Sequence, residues 1–291
     1  MLFLILPLAC GLLYPVGTLL VKRSLDKGMD VWSVAMVNYW IMALVFLPVL
    51  FLDSSMIPWS LWYQPAFMGL CSFLGQAFAF KAISSGDLTI ATPALGSKVL
   101  MVALLTVALL QQSVPGHLWI AAIFSFGAVF FLQAGVKSAR RKVFLTLLFS
   151  LMAAASFALG DVLIQKWAPR WGVFHFVPAF AMATAVYSLA LWPMLKKPRL
   201  VYPMSTWKWA FGGNTVLGFQ SLGFTVAIGL FGQVTRANIV FSSRGLWSFF
   251  LIWFGGHWFS NREREAGARI MSYRLLGAVL MFAAILLASW K

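Results

Sequence analysis

Two cations stand deep inside apolar stretches of this 291-residue chain, and they are the residues most able to do chemistry. Lys98 lies near the middle of the stretch 87–110, and Arg244 near the middle of 233–259. A cation at bilayer depth costs roughly 2.5–3.5 kcal/mol on insertion scales, so it faces a bundle interior or an aqueous cavity. No carboxylate stands within a few turns of either residue on its own stretch. Two positive charges with so few counter-ions fit the anionic group of a ligand. The alternative is a structural cross-link, in which each cation pairs with Asp161 or with backbone carbonyls.

The neighbours suit a binding site. Thr92, Pro93, Gly96 and Ser97 precede Lys98, and Asn238, Ser242 and Ser243 precede Arg244. Pro93 removes a helical hydrogen bond and Gly96 weakens the turn, which predicts a helix break that frees backbone groups. Thr92, Ser97, Ser243 and Asn238 then offer hydroxyl and amide contacts. The same Pro and Gly also permit close helix packing. Asn38, Tyr39, Tyr14 and Gln76 are further polar residues within apolar stretches; each either lines a cavity or bonds between helices. Asp161 is the one acid well inside a span, suited to balancing a cation or carrying a coupling proton. The three histidines are scattered, no metal-ligand spacing appears and no phosphate-binding loop occurs. These absences argue against a metal, a cofactor or an intramembrane enzyme.

The elements that must position these residues are membrane helices. Apolar residues make up 62% of the chain and charged residues 10%, whereas soluble domains are nearer a quarter charged. The net charge of +15 is gathered in short clusters between apolar stretches, which marks topology and not nucleic-acid binding. Marking spans of about 20 apolar residues between polar breaks predicts about ten transmembrane helices. They cover approximately 2–21, 31–52, 61–81, 87–110, 117–135, 143–166, 173–195, 207–230, 233–259 and 272–290. Tryptophans cluster at their ends as an interfacial belt, Trp32, Trp59, Trp167 and Trp290 among them.

A shift of 146 residues lays 78–100 on 224–246, matching Gly86 with Gly232, Ala91 with Ala237, Ser97 with Ser243 and Lys98 with Arg244. A shift of 143 places Gly17 on Gly160. The expected organisation is therefore a five-helix repeat over 1–136, a basic connection at 137–142 and a second repeat over 143–291. An odd number of spans per half makes the two repeats inverted, with a substrate site between them near the midplane. Sixteen Lys and Arg residues fall at odd-numbered loops against four at even loops and termini, which predicts odd loops in the cytoplasm.

Ten spans, a five-plus-five repeat and the segment Gly86-Asp87-Leu88-Thr89-Ile90-Ala91-Thr92-Pro93 resemble the drug/metabolite transporter superfamily, particularly its EamA-type members. The resemblance extends over essentially the whole chain. It implies a secondary transporter of a small organic metabolite, working by alternating access in a bacterial inner membrane. Related sugar-phosphate translocators carry cations on helices four and nine, where Lys98 and Arg244 stand. Partners would be the metabolite, the lipid bilayer and protons as a coupling ion. Amino-acid or drug export, or flipping of a lipid-linked intermediate, are the competing functions. The resemblance also implies cytoplasmic termini, opposite to the orientation drawn from the basic residues.

Overall fold

The computed structural model describes residues 2–85, 94–132, 143–196, 199–255 and 268–290. Among them are eleven α-helices and no strand. Helices dominate because hydrocarbon offers no partner for backbone N–H and C=O groups, so each segment satisfies its own. The helices are α1 (Leu2–Asp26), α2 (Val31–Phe46), α3 (Tyr63–Ser85), α4 (Lys98–Leu110), α5 (Gly116–Leu132) and α6 (Val143–Trp171). They continue with α7 (Val173–Tyr187), α8 (Met204–Phe231), α9 (Val234–Phe241), α10 (Arg244–Gly255) and α11 (Ala268–Ser289). Six described helices are long and apolar enough to cross a bilayer alone, and Ala94–Leu110 and Gly116–Leu132 are shorter apolar ones.

The six long helices coincide with predicted spans one, two, six, seven, eight and ten, and several spans differ locally from the prediction. Spans two and seven do not stay α-helical: α2 tightens into a 3-10 helix over Leu47–Leu52 and α7 into another over Ser188–Met194. Pro48 and Pro193 lie in those tightened ends, where a missing N–H is tolerated. Lys81 lies inside α3 and not beyond it. The largest correction is to span nine. The chain turns at Ser242 and Ser243, dividing the expected single helix into α9 and α10.

At the other end of the bundle, Asp30 caps α2 by accepting the amides of Trp32 at 2.9 Å and Ser33 at 3.3 Å. The Tyr202 hydroxyl donates to the same carboxylate at 3.0 Å, tying the start of α2 to the segment before α8.

α1 packs along α8 and α3 along α6; α2 touches α7 and α8, α3 also touches α7, and α5 lies against α11. α4 packs on α6, while α9 and α10 pack on α1. Glycines let two of these pairs approach closely. A Cβ on Gly17 of α1 would meet the Leu217 side chain of α8 at 2.7 Å, and one on Gly160 of α6 would meet Met68 of α3 at 3.0 Å. The core between the helices is apolar, with Tyr39, Phe46, Phe176 and Phe180 fully buried. Large apolar side chains such as Leu44, Phe144, Val186 and Phe282 face outward instead. In water such a surface would be a liability, whereas in lipid it is the expected exterior.

Candidate functional site

Lys98 and Arg244 are each the first residue of a helix that follows a break. Ala94–Gly96 is helical, Ser97 is a turn whose amide bonds the Ala94 carbonyl three residues back, and α4 begins at Lys98. Arg244 likewise opens α10 after the turn at Ser242 and Ser243. The first turn of a helix carries the positive end of its dipole, so both side chains add charge to an already electropositive position. Thr92 and Pro93 lie outside the described residues. Gly96 serves close packing: a Cβ there would come within 3.0 Å of Val129 on α5.

The expectation of two unmatched cations holds for only one of them. The Lys98 ammonium sits 2.7 Å from Asp161 Oδ2, a carboxylate delivered by α6. Asn238 of α9 donates its Nδ2 to the same oxygen at 2.8 Å and to the Val234 carbonyl at 3.1 Å. Asp161 and Asn238 are buried, and the side chains of Lys98 and Asp161 are only 13% and 11% exposed. Burying such a pair requires good geometry and further hydrogen bonds, which Asn238 provides. Asp161 therefore balances Lys98 directly.

Arg244 is held in another way. Its guanidinium lies 4.7 Å from the Tyr14 ring centroid and 4.8 Å from that of Phe241, with no carboxylate in ion-pair range among the described residues. Tyr14 meets Phe241 edge-on at 6.0 Å, and Phe241 lies 4.4 Å from Phe224. The Lys98 ammonium reaches the other side of this cluster, 5.4 Å from Phe224 and 5.9 Å from Phe157. A short aromatic bridge thus separates the two charges. Beside Arg244, the Ser243 hydroxyl is buried without a hydrogen-bond partner, facing Gly11 of α1. An unpaired buried hydroxyl costs free energy, which a ligand oxygen would recover.

The remaining sequence candidates divide. Tyr14, on Arg244, and Asn238, on Asp161, join the site. Ser97 donates to the Ala94 carbonyl at 2.6 Å, within its own turn. Tyr39 is buried in the core and donates to the Phe73 carbonyl at 3.2 Å. Asn38 and Gln76 are half-buried on α2 and α3, with no contact to Arg244 or Lys98 recorded.

A second polar cluster escaped the sequence reading. Gln165, one turn beyond Asp161 on α6, accepts the Val234 amide at 2.8 Å and donates to Gln112 at 2.9 Å. The hydroxyls of Thr106 and Thr235 meet at 3.2 Å. The i,i+4 spacing of Asp161 and Gln165, one face of one helix, was the available signal.

The geometry can now be set beside known proteins. Residues 1–133 match the model of the EamA-like transporter family, within the drug/metabolite transporter superfamily. Residues 1–133 are EamA-like. The six long apolar helices and this EamA-like N-terminal part point to a multi-pass membrane protein. A solved structure described as "Crystal structure of protein" superposes with a TM-score of 0.78 at 17% identity. The alignment covers 99% of this chain and 96% of that one, so the two share a fold along their length. No curated protein matches the chain.

Proposed function

We propose that the protein is a secondary active transporter that moves a small organic metabolite bearing an anionic group, by alternating access between two inverted five-helix halves. The observation that carries this reading is Arg244, a guanidinium at the break between α9 and α10 that packs against the Tyr14 and Phe241 rings and that no described carboxylate neutralises. Contact with ring π-systems uses none of the guanidinium's N–H donors as a carboxylate or phosphate would, so they stay available for bidentate contact with such a group. Ser243 adds a hydroxyl without a partner beside it. Lys98, already balanced by Asp161, reinforces the positive field from across the aromatic bridge.

The helix contacts support the inverted repeat. Let α1 correspond to α6, α2 to α7, α3 to α8, α4 to α9 with α10, and α5 to α11. The pair α1–α8 then exchanges with α6–α3, α2–α8 with α7–α3, and α4–α6 with α9 and α10 on α1, while α5–α11 and α2–α7 map onto themselves; every one of these pairs is in contact. The close glycines correspond too, Gly17 facing α8 and Gly160 facing α3. Two pseudo-equivalent bundles that can rock about a shared axis are what alternating access requires.

Counterflow in proteoliposomes against a panel of labelled carboxylates and phosphate esters tests the assignment. Arg244→Gln should abolish uptake of every transported member while leaving the melting temperature near wild type. Uptake unchanged by Arg244→Gln would remove Arg244 from the site and the anion from the substrate class.

A further inference from the structure

A cavity of about 260 Å³ opens beside the Gln112–Gln165 contact, and Arg244 is not part of its lining. It is smaller than the roughly 300–1,000 Å³ of drug-sized sites, which suits a metabolite. Its wall includes Thr106, Gln112, Gln165, Gln233, Thr235 and Arg236, and no acidic residue lines it. Arg236 touches the Gln233 side chain at 3.4 Å and has no ion-pair partner among the described residues. Two helices also begin at this wall, α9 after Gln233 and α5 after Pro115, so the positive ends of two dipoles face the same space. A guanidinium, two helix starts and six neutral hydrogen-bonding side chains, Ser113 included, with no negative charge to oppose them, form an anion receptor.

The floor of the cavity connects to the ion pair. Val234 donates its amide to Gln165 and accepts from Asn238, and Asn238 in turn donates to Asp161. Gln165 lies four residues from Asp161 on α6, a rise of about 6 Å. A change at Gln165 or Val234 therefore acts on the partners of Lys98 within two contacts.

We propose that this cavity is a second, outer subsite for the transported anion, a small hydroxylated carboxylate or phosphate ester. Arg236 takes the anionic group there, Thr235 and Gln233 take hydroxyls, and the Gln112–Gln165 amide pair closes the wall on the side of the Lys98–Asp161 ion pair. The inference rests on the transport reading, because a waiting site has meaning only for a molecule that moves on.

Ser113 is exposed at the rim and both native cysteines are buried, so Ser113→Cys gives one accessible thiol among the described residues. The full-length Ser113→Cys protein would be labelled with a membrane-impermeant maleimide in proteoliposomes. Lactate, glycerate, 3-phosphoglycerate and inorganic phosphate are the probes, with glycerol as the neutral control. The subsite requires saturable slowing by at least one organic anion and none by glycerol. Arg236→Gln should raise the half-protecting concentration by about tenfold, as loss of a charge-assisted contact does, while Arg236→Lys keeps most of the protection. Arg244→Gln should leave protection within about twofold, since the two sites make no shared contact with the ligand. Stronger protection by 3-phosphoglycerate than by glycerate assigns a phosphate ester, and the reverse order a carboxylate.

A thiol that never labels, labelling indifferent to every anion, or protection by inorganic phosphate alone would overturn the subsite. So would protection that Arg244→Gln abolishes and Arg236→Gln spares, since the anion would then bind centrally and slow labelling through a conformational change. Protection that persists while Arg244→Gln leaves transport intact would instead overturn the central-site assignment and spare the outer one.

Discussion

Lys98 and Arg244, matched by the 146-residue shift, each open a helix after a break, yet the protein surrounds them differently. The lysine meets a carboxylate at 2.7 Å and that carboxylate is held again by an asparagine. The arginine packs against two aromatic rings, with no described carboxylate in ion-pair range. The residue types suit these surroundings. An ammonium is a compact point charge that one carboxylate can neutralise, whereas a planar guanidinium can stack on rings and still present several donors at its edge. A symmetric site would bind two anionic groups with equal strength. Here one charge is an internal fastener between α4, α6 and α9, and the other has no described counter-ion, which is what the proposed anion site rests on.

The largest expected effect comes from breaking the fastener on its acid side. Asp161→Ala leaves an uncompensated buried ammonium and should lower stability by about 3–5 kcal/mol, read as a fall in melting temperature in detergent. Replacing the pair together, as Lys98→Met with Asp161→Leu, should restore most of that loss. A melting temperature unmoved by Asp161→Ala would mean that the two cations are alike after all. Asn238→Leu comes next, at about 1.5–3 kcal/mol, since it removes a donor to a charged acceptor. A double-mutant cycle with Lys98→Met should show coupling between them, and strict additivity would detach Asn238 from the ion pair.

The smallest effect sharpens the other half of the comparison. Tyr14→Leu removes one face of the guanidinium cradle, worth about 1 kcal/mol, which is a roughly fivefold rise in KM with stability held. Phe157→Leu, which faces Lys98, should leave KM alone. Equal effects from both substitutions would argue that the aromatic rings serve packing only.

Much of this was legible from the residues alone. Apolar length and basic clusters located the spans, because hydrocarbon permits little besides helices. The 146-residue shift picked out Lys98 and Arg244 as equivalents, and their breaks follow from the Gly and Ser residues beside them. The Lys98–Asp161 contact was not legible, because it depends on how α4 and α6 are rotated toward each other. In an evenly apolar helix no hydrophobic stripe records that rotation. Asp161 stood out as a buried acid suited to balancing a cation, but which of Lys98 and Arg244 it meets did not. The division of span nine had a readable cause: 27 residues exceed what a bilayer needs, and Ser242-Ser243-Arg244-Gly245 lies in the middle. Gln112, Gln165 and Arg236 carry no signal in the sequence, because amides and arginines near helix ends are ordinary. Only the fold shows that three such ends converge.

The shortness of α9 has an electrical consequence. Its eight residues rise about 12 Å, well under half of a hydrocarbon core of ~30 Å. On the proposed transport reading, a monoanion carried from Arg236 past Arg244 to the opposite face would do electrical work, up to about 2.3 kcal/mol per 100 mV for the whole potential, so membrane potential would itself be part of what the anion feels.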